Sequence, residues 1–274
     1  MGHQVINGDG NPAAGKVASL FDFLSLLTRV KFGRRDIDVA TLARRQYLFP
    51  VAGFIIGAIV SIVAFFLFDL VGNQVDEWLK ALGTVLFLYF LTGLIHIEGL
   101  ADFGDGLMAS GTSERKRQAM KDVSLGAAGV FFLIAAFLSL FLLVSKLGGW
   151  ADSPALMFWA DSLPLVWGLI LAEISAKLAM ITVMTMGPSS HQGMGSAFVL
   201  AASPDKLVVG SIIAVLIAFL ISGVFCVLVL LGIVAGAIVA FIAKRHFGGV
   251  GGDSFGAANE FGRMLTLLAW VVLL

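Results

Sequence analysis

The sequence predicts an all-α, polytopic membrane bundle of about seven transmembrane helices, preceded by an amphipathic helix lying at the membrane surface. Three observations carry this. Of 274 residues, 59% are hydrophobic and only 13% charged, with a mean hydropathy of +0.98, whereas soluble domains carry about 25% charged residues. The apolar residues form runs near the length of about 20 that a membrane span needs. Lys and Arg collect in alternate loops, as orientation in a membrane requires.

Residues 1–18 read as a polar, disordered tail and 19–274 as one membrane-embedded domain. GNPAAGKV, Gly10 to Val17, falls one residue short of a phosphate-binding P-loop, with Val17 where a Mg-binding hydroxyl belongs. Residues 19–32 set Leu20, Phe23, Leu24, Leu27, Val30 and Lys31 at helical spacing, which suits a helix at the interface.

Spans follow at 48–70, 79–97, 126–147, 163–184, 207–243 and 257–274. The run 207–243 holds 37 residues without a charge. At about 1.5 Å per residue it would extend roughly 55 Å, against a hydrocarbon core of about 30 Å. It therefore divides into two spans, turning near Ser222–Gly223. Charge agrees with that count. Arg29, Lys31, Arg34, Arg35, Arg44, Arg45, Arg115, Lys116, Arg117, Lys121, Lys206, Lys244 and Arg245 fall on one side, while the other keeps Lys80 and Lys146 with Asp76, Glu77, Asp152 and Asp161. The basic side is cytoplasmic by the positive-inside rule. Formal net charge is zero, so nothing points to nucleic acid. Cys226, the single cysteine, is read as packing.

This topology brings three polar segments to the cytoplasmic face: HIEGLADFGDG (96–106), the loop 185–206, and GGVGGDSFGAANEFGR (248–263). In the first, Glu98, Asp102 and Asp105 lie on one helical stripe. Two unit charges about 4 Å apart repel by roughly 4 kcal/mol at an effective dielectric of about 20, so the stripe invites a divalent cation. Oxygen ligands without a Cys/His set favour Mg²⁺ over Zn²⁺, since magnesium uses one or two carboxylates together with substrate phosphates. Asp122 and Asp253 offer further carboxylates, and Lys121 can neutralise phosphate. Gly251 and Gly252 precede a helix whose exposed N–H groups suit an anion, with Asn259 and Arg263 one turn apart on it. His191 reads as a loop residue or phosphate contact. His96 reads as a base or as a group orienting the carboxylates. Glu173 and Lys177, four apart within the fourth span, form either a buried structural pair or the inner wall of the site. The chemistry these residues imply is Mg-dependent transfer of a phosphate-bearing group.

HIEGLADFGDG, MKDVSLGAAGV (120–130), GMGSAF (193–198) and GGDSFGAANEFGR (251–263), with FLSLLTRVKFG (23–33) and LFPVAGFIIG (48–57), together resemble the cobalamin synthase family of adenosylcobinamide-GDP ribazoletransferases. The resemblance runs from about residue 20 to the C-terminus. It implies transfer of the adenosylcobinamide phosphoryl group to α-ribazole, or to its 5′-phosphate, with release of GMP. It also implies Mg²⁺ as cofactor, a multi-pass protein of the plasma membrane with its site facing the cytoplasm, and association with the lipid bilayer and with other corrinoid-assembly enzymes. The family usually has Asp where this chain has Glu98, and often has arginines where it has Lys177 and His191. Asp102 to Ala109 also fits the opening of the CDP-alcohol phosphotransferase motif, but Ser110 and Ala119 depart from its continuation. That family, or a prenyl-diphosphate transferase, is the alternative.

Overall fold

The computed structural model describes residues 12–31, 38–71, 74–148 and 163–274, with side chains from Val17 onward in the first helix. Residues 1–11 of the polar start, together with Arg34, Arg35, Asp152 and Asp161, lie outside the described residues. Among the described residues twelve α-helices follow in order: α1 Pro12–Leu27, α2 Val39–Arg44, α3 Phe49–Phe65, α4 Glu77–Thr92, α5 Ile95–Met108, α6 Ser113–Met120, α7 Ala127–Gly148, α8 Leu163–Met186, α9 Met194–Ala201, α10 Pro204–Ser222, α11 Leu231–Phe247 and α12 Gly252–Leu273.

Within the described residues, four helical stretches are long and apolar enough to cross a membrane: Gln46–Leu70, Ala127–Gly148, Leu163–Met186 and Pro204–Phe247. The last is 44 residues long and, as expected, is two limbs. At Gly223 the backbone turns to φ +58° and ψ −125°, a conformation open mainly to glycine. A short 3₁₀ segment, Gly223–Leu230, then leads back into α11. Neighbours fix the path: Gly210 lies by Ile181, the Phe225 ring packs edge-on to Trp270 at 5.0 Å, and Gly232 and Gly236 lie by Ser175 and Ala179. The chain thus descends one side of the bundle and climbs the other.

The centre is α8, whose most apolar window is 89% buried. Glycines four apart on each flank let it be enclosed. A Cβ on Gly53 would meet the Glu173 carbonyl oxygen at 2.5 Å, and one on Gly232 would meet that of Ser175 at 2.2 Å. Small residues at this spacing let helix backbones touch, which is how membrane helices gain packing energy where lipid offers no hydrophobic drive. The third side of α8 is covered by α12, antiparallel to it, with the Trp270 indole N–H donating to the Pro164 carbonyl at 2.7 Å.

Two expectations need correction. The span read at 79–97 does not run straight: it breaks at Gly93 and Leu94, both at positive φ, and α5 leaves α4 at 89°. The acidic motif is therefore a helix of its own. The N-terminal helix begins at Pro12 rather than near 19 and stops at Leu27, so Val30 and Lys31 are not on it. There the Thr28 hydroxyl caps the Leu24 carbonyl at 2.7 Å, and the Arg29 N–H donates to the Leu91 carbonyl at 2.8 Å. The helix is pinned to the bundle through Phe23, fully buried with its ring 4.7 Å from that of Phe49. Cys226 is buried, in keeping with a packing role.

Candidate active site

Four segments meet at one end of the bundle. The break before α5 swings Glu98 and Asp102 toward the start of α12. Gly99, between them, allows backbone contact: a Cβ there would stand 3.1 Å from the Asp253 Cα. Asp253 occupies the first turn of α12, where the helix dipole favours a carboxylate. The loop after α8 runs parallel to residues 248–251, with the Ser190 N–H on the Val250 carbonyl (2.9 Å) and the Val250 N–H on that of Pro188 (2.8 Å). The fourth segment is the turn after α6, carrying Lys121 and Asp122.

Asp102 and Asp253 form an electrostatically loaded pair. Burial above all, then the charges of Asp253, Glu98 and Asp105, pushes Asp102 up to about 6. Asp253 is likewise pushed up to about 6 by burial and by Glu98, against the opposing pull of Lys121. Both are ionised at neutral pH and repel, which is the situation a divalent ion relieves.

The five carboxylates read as candidate metal ligands do not all converge. Among the described residues, no three carboxylate, imidazole or thiol groups close into a metal cluster. Asp105 accepts the Gly126 and Gly129 N–H groups, each at 2.8 Å, so both its oxygens cap the start of α7. Asp122 is exposed and accepts the Ser124 N–H at 2.9 Å, which holds its carboxyl below the usual range. What remains is an acidic pair with Glu98 beside it, a donor set that fits an ion completing its shell with phosphate and water.

Basic groups flank that pair. Lys121, His191 and Arg117 line a small notch with Asp253, backed by Gly251. His191 is exposed and places Nδ1 2.9 Å from the Ser190 hydroxyl. Partial burial, then Lys121 and Arg117, lowers its pKa, so the ring is neutral at pH 7. Arg117, read from sequence as a topology residue only, donates to the Phe247 carbonyl at 2.5 Å and pairs with Glu114. On the other side of the pair, a groove of about 1100 Å³ opens between α4, α5 and α7. Leu86, Ile97, Leu133 and Phe137 make its wall apolar, and Glu98, Asp102, Lys121 and Asp122 form its polar corner.

Three expected site residues lie elsewhere. Asn259 and Arg263 are fully buried mid-bundle, because a helix starting at Gly252 carries them two and three turns below the mouth. Arg263 donates through Nη1 to both Glu260 oxygens at 2.6 Å and through Nε to Glu173. Lys177 Nζ donates to Asn259 Oδ1 at 2.6 Å and to Glu173 Oε2 at 3.3 Å. The Tyr89 hydroxyl closes the set on Glu260 at 3.1 Å. Glu173 and Lys177 are thus part of a balanced buried network, not the wall of the site. His96, read as a base or as a group orienting the carboxylates, is buried at 4% exposure and lines a separate cavity beyond α5. Glu260 and Tyr89 were missed, although Arg263 at i+3 and the two-plus-two balance of intramembrane charge point to Glu260.

Comparison with known proteins identifies the family. A family model described as Cobalamin-5-phosphate synthase matches residues 19–271. An adenosylcobinamide-GDP ribazoletransferase of Methanococcoides burtonii is 31% identical over 265 residues, covering 94% of this chain and 93% of the relative. One of Methanocella arvoryzae is 35% identical over 89% of this chain and 91% of the relative, and one of Thermococcus gammatolerans 37% identical over 67% and 72%. No solved structure matches. A family match spanning nearly the whole chain leaves no place for the CDP-alcohol or prenyl-diphosphate alternatives: the chain belongs to the Cobalamin-5-phosphate synthase family.

Proposed function

We propose that this protein is an adenosylcobinamide-GDP ribazoletransferase, joining the adenosylcobinamide phosphoryl group to α-ribazole or its 5′-phosphate and releasing GMP. The observation that carries the reading is the Asp102–Asp253 pair, lying between a broad apolar groove and a basic notch. A donor made of a large corrinoid and a nucleotide, joined through a diphosphate, needs both compartments and a charge-handling point between them.

In this reading the groove takes the corrinoid, and Lys121, His191 and Arg117 hold the diphosphate on its GMP side. Asp102 and Asp253 would hold Mg²⁺, which when bound neutralises charge on the diphosphate. Phosphoryl transfer asks the protein mainly for alignment and electrostatics. The 5′-oxygen of α-ribazole forms the new bond to the phosphorus attached to cobinamide, and the bond from that phosphorus to the bridging oxygen breaks, leaving with GMP. Glu98, exposed beside the pair, takes the hydroxyl proton. With the 5′-phosphate as acceptor, no base is needed. His96 is too far inside the bundle for that task.

In this reading the site faces the cytoplasm from the plasma membrane, an orientation that Arg115, Lys116, Lys121, Lys244 and Arg245 at its end of the bundle support. Other corrinoid-assembly enzymes would then meet it at that face. The reading is tested with the purified protein in detergent, Mg²⁺, adenosylcobinamide-GDP and α-ribazole. GMP and a cobalamin product should appear together and stop on chelation; their absence overturns it.

A further inference from the structure

Beyond α5, on the side away from the groove, a cavity of about 250 Å³ reaches the first residues of α12. Its walls include Phe49, Phe198, Phe255, Met180 and Met184, and among the described residues His96 is the one polar side chain lining it. His96 is 96% buried, and its Nδ1 has no hydrogen-bond partner among the described residues. Leaving a buried polar atom unsatisfied costs about 1–3 kcal/mol, so an imidazole in such surroundings calls for a role. The cavity also touches the site: Gly252, part of its wall, immediately precedes Asp253, and among the described residues nothing stands within 4 Å of where a Gly252 Cβ would be.

Resting on the function proposed above, we infer that this cavity binds the heteroaromatic base of the acceptor, with His96 as its polar recognition group. Three features select that occupant. The volume is below the roughly 300–1000 Å³ of pockets for whole drug-sized ligands, enough for one fused bicyclic ring but not for a macrocycle. Aromatic rings and flexible thioethers suit a flat apolar ring system. A benzimidazole riboside offers a single in-plane hydrogen-bonding atom, its imine nitrogen, which accepts from the imidazole N–H. With the base seated there, the ribose crosses the open surface at Gly252, and its 5′ end reaches Asp253.

The experiment compares two acceptors, α-ribazole and the corresponding dimethylindole riboside, in which the imine nitrogen becomes C–H. They are used with the wild-type protein, His96→Leu and His96→Gln. A site built to hydrogen-bond an atom discriminates against the analogue lacking it. The wild type should prefer α-ribazole by about tenfold in KM, the size of one such bond at about 1.4 kcal/mol. His96→Leu should lose that preference while keeping its KM for adenosylcobinamide-GDP, and His96→Gln, which retains a donor, should recover part of it. Equal use of both acceptors by the wild type overturns the inference and leaves the function standing. So does a preference unchanged in both variants, or a matching rise in the donor KM. Absence of GMP release by the wild type with every acceptor overturns the function itself, and the inference with it.

Discussion

Gly99 of α5 and Asp253 of α12 meet backbone to backbone: a Cβ at Gly99 would lie 3.1 Å from the Asp253 Cα and 3.3 Å from its carbonyl oxygen. This contact holds the two halves of the acidic pair in one place, because Asp102 is one turn beyond Gly99 on the same helix. Gly99→Ala should lower kcat several-fold and Gly99→Val should abolish turnover, as each larger group drives α5 from α12. Both proteins should remain membrane-inserted and monodisperse in detergent. Wild-type GMP release by Gly99→Val would show that the pair need not be held so closely.

If Asp102 and Asp253 hold the proposed Mg²⁺, activation by magnesium should depend on pH with a defined sign. Asp102 and Asp253 are each pushed up to about 6, so at pH 7 both are mostly ionised and at pH 5 both mostly protonated. A cation must displace those protons as pH falls. The Mg²⁺ concentration for half-maximal activity should therefore rise below pH 6, by up to about tenfold per carboxylate for each further pH unit, and level off above pH 7. A half-saturation value flat between pH 5.5 and 7.5 would exclude the pair as the binding point.

Asp102→Asn and Asp105→Asn should differ in kind. The first removes a free carboxylate from the mouth and should leave no measurable turnover at any Mg²⁺ concentration. The second weakens a cap on two N–H groups at the start of α7. Losing such a cap costs about 0.5–2 kcal/mol, read as a lower Tm in detergent, with kcat reduced but Mg²⁺ half-saturation unchanged. A shifted half-saturation in Asp105→Asn would return Asp105 to the metal site.

The buried network should be felt in stability before catalysis. Arg263→Leu leaves Glu173 and Glu260 without their shared partner inside the bundle. Removing one member of a buried pair costs about 3–5 kcal/mol, enough to lower Tm sharply or prevent recovery of folded protein. Normal thermal stability would mean that the carboxylates become neutral without consequence.

Single cysteines in a Cys226→Ser background check orientation. Thr112→Cys, Ser124→Cys and Lys244→Cys, all exposed at the site's end of the bundle, should react with impermeant maleimide only from the cytoplasmic side. Gln74→Cys should react only from the other side. Labelling of residue 244 opposite to residue 124 would separate segments that the proposed site requires together.

Much of this was legible in sequence because hydropathy and charge act over long stretches. The fold back at Gly223 followed from 37 uncharged residues exceeding a bilayer's thickness. The meeting of α5, the loop after α8 and the start of α12 followed from alternating loop charge. Depth along a helix was not legible. Asn259 and Arg263 share a motif with Asp253, but helical rise takes them into the core, and local spacing does not say where the membrane face lies. The break at Gly93 was hidden because Leu94, at φ +66°, is a residue that seldom adopts that conformation. Asp105 looked equivalent to Asp102 because the N–H groups that claim it come from Gly126 and Gly129, which a helical stripe cannot reveal.

The two backbone bonds joining residues 188–190 to Val250 have an architectural consequence. Everything between them, α9 and the folded pair α10 and α11, departs from the mouth and returns to the same point. The segment is a closed detour whose entrance and exit are clasped together, so substitutions on its outer, lipid-facing surface change the protein's fit to its bilayer without moving the chain ends that border Asp253. Adaptation to membranes of different thickness or composition can therefore proceed along this detour, while the geometry around the acidic pair stays fixed.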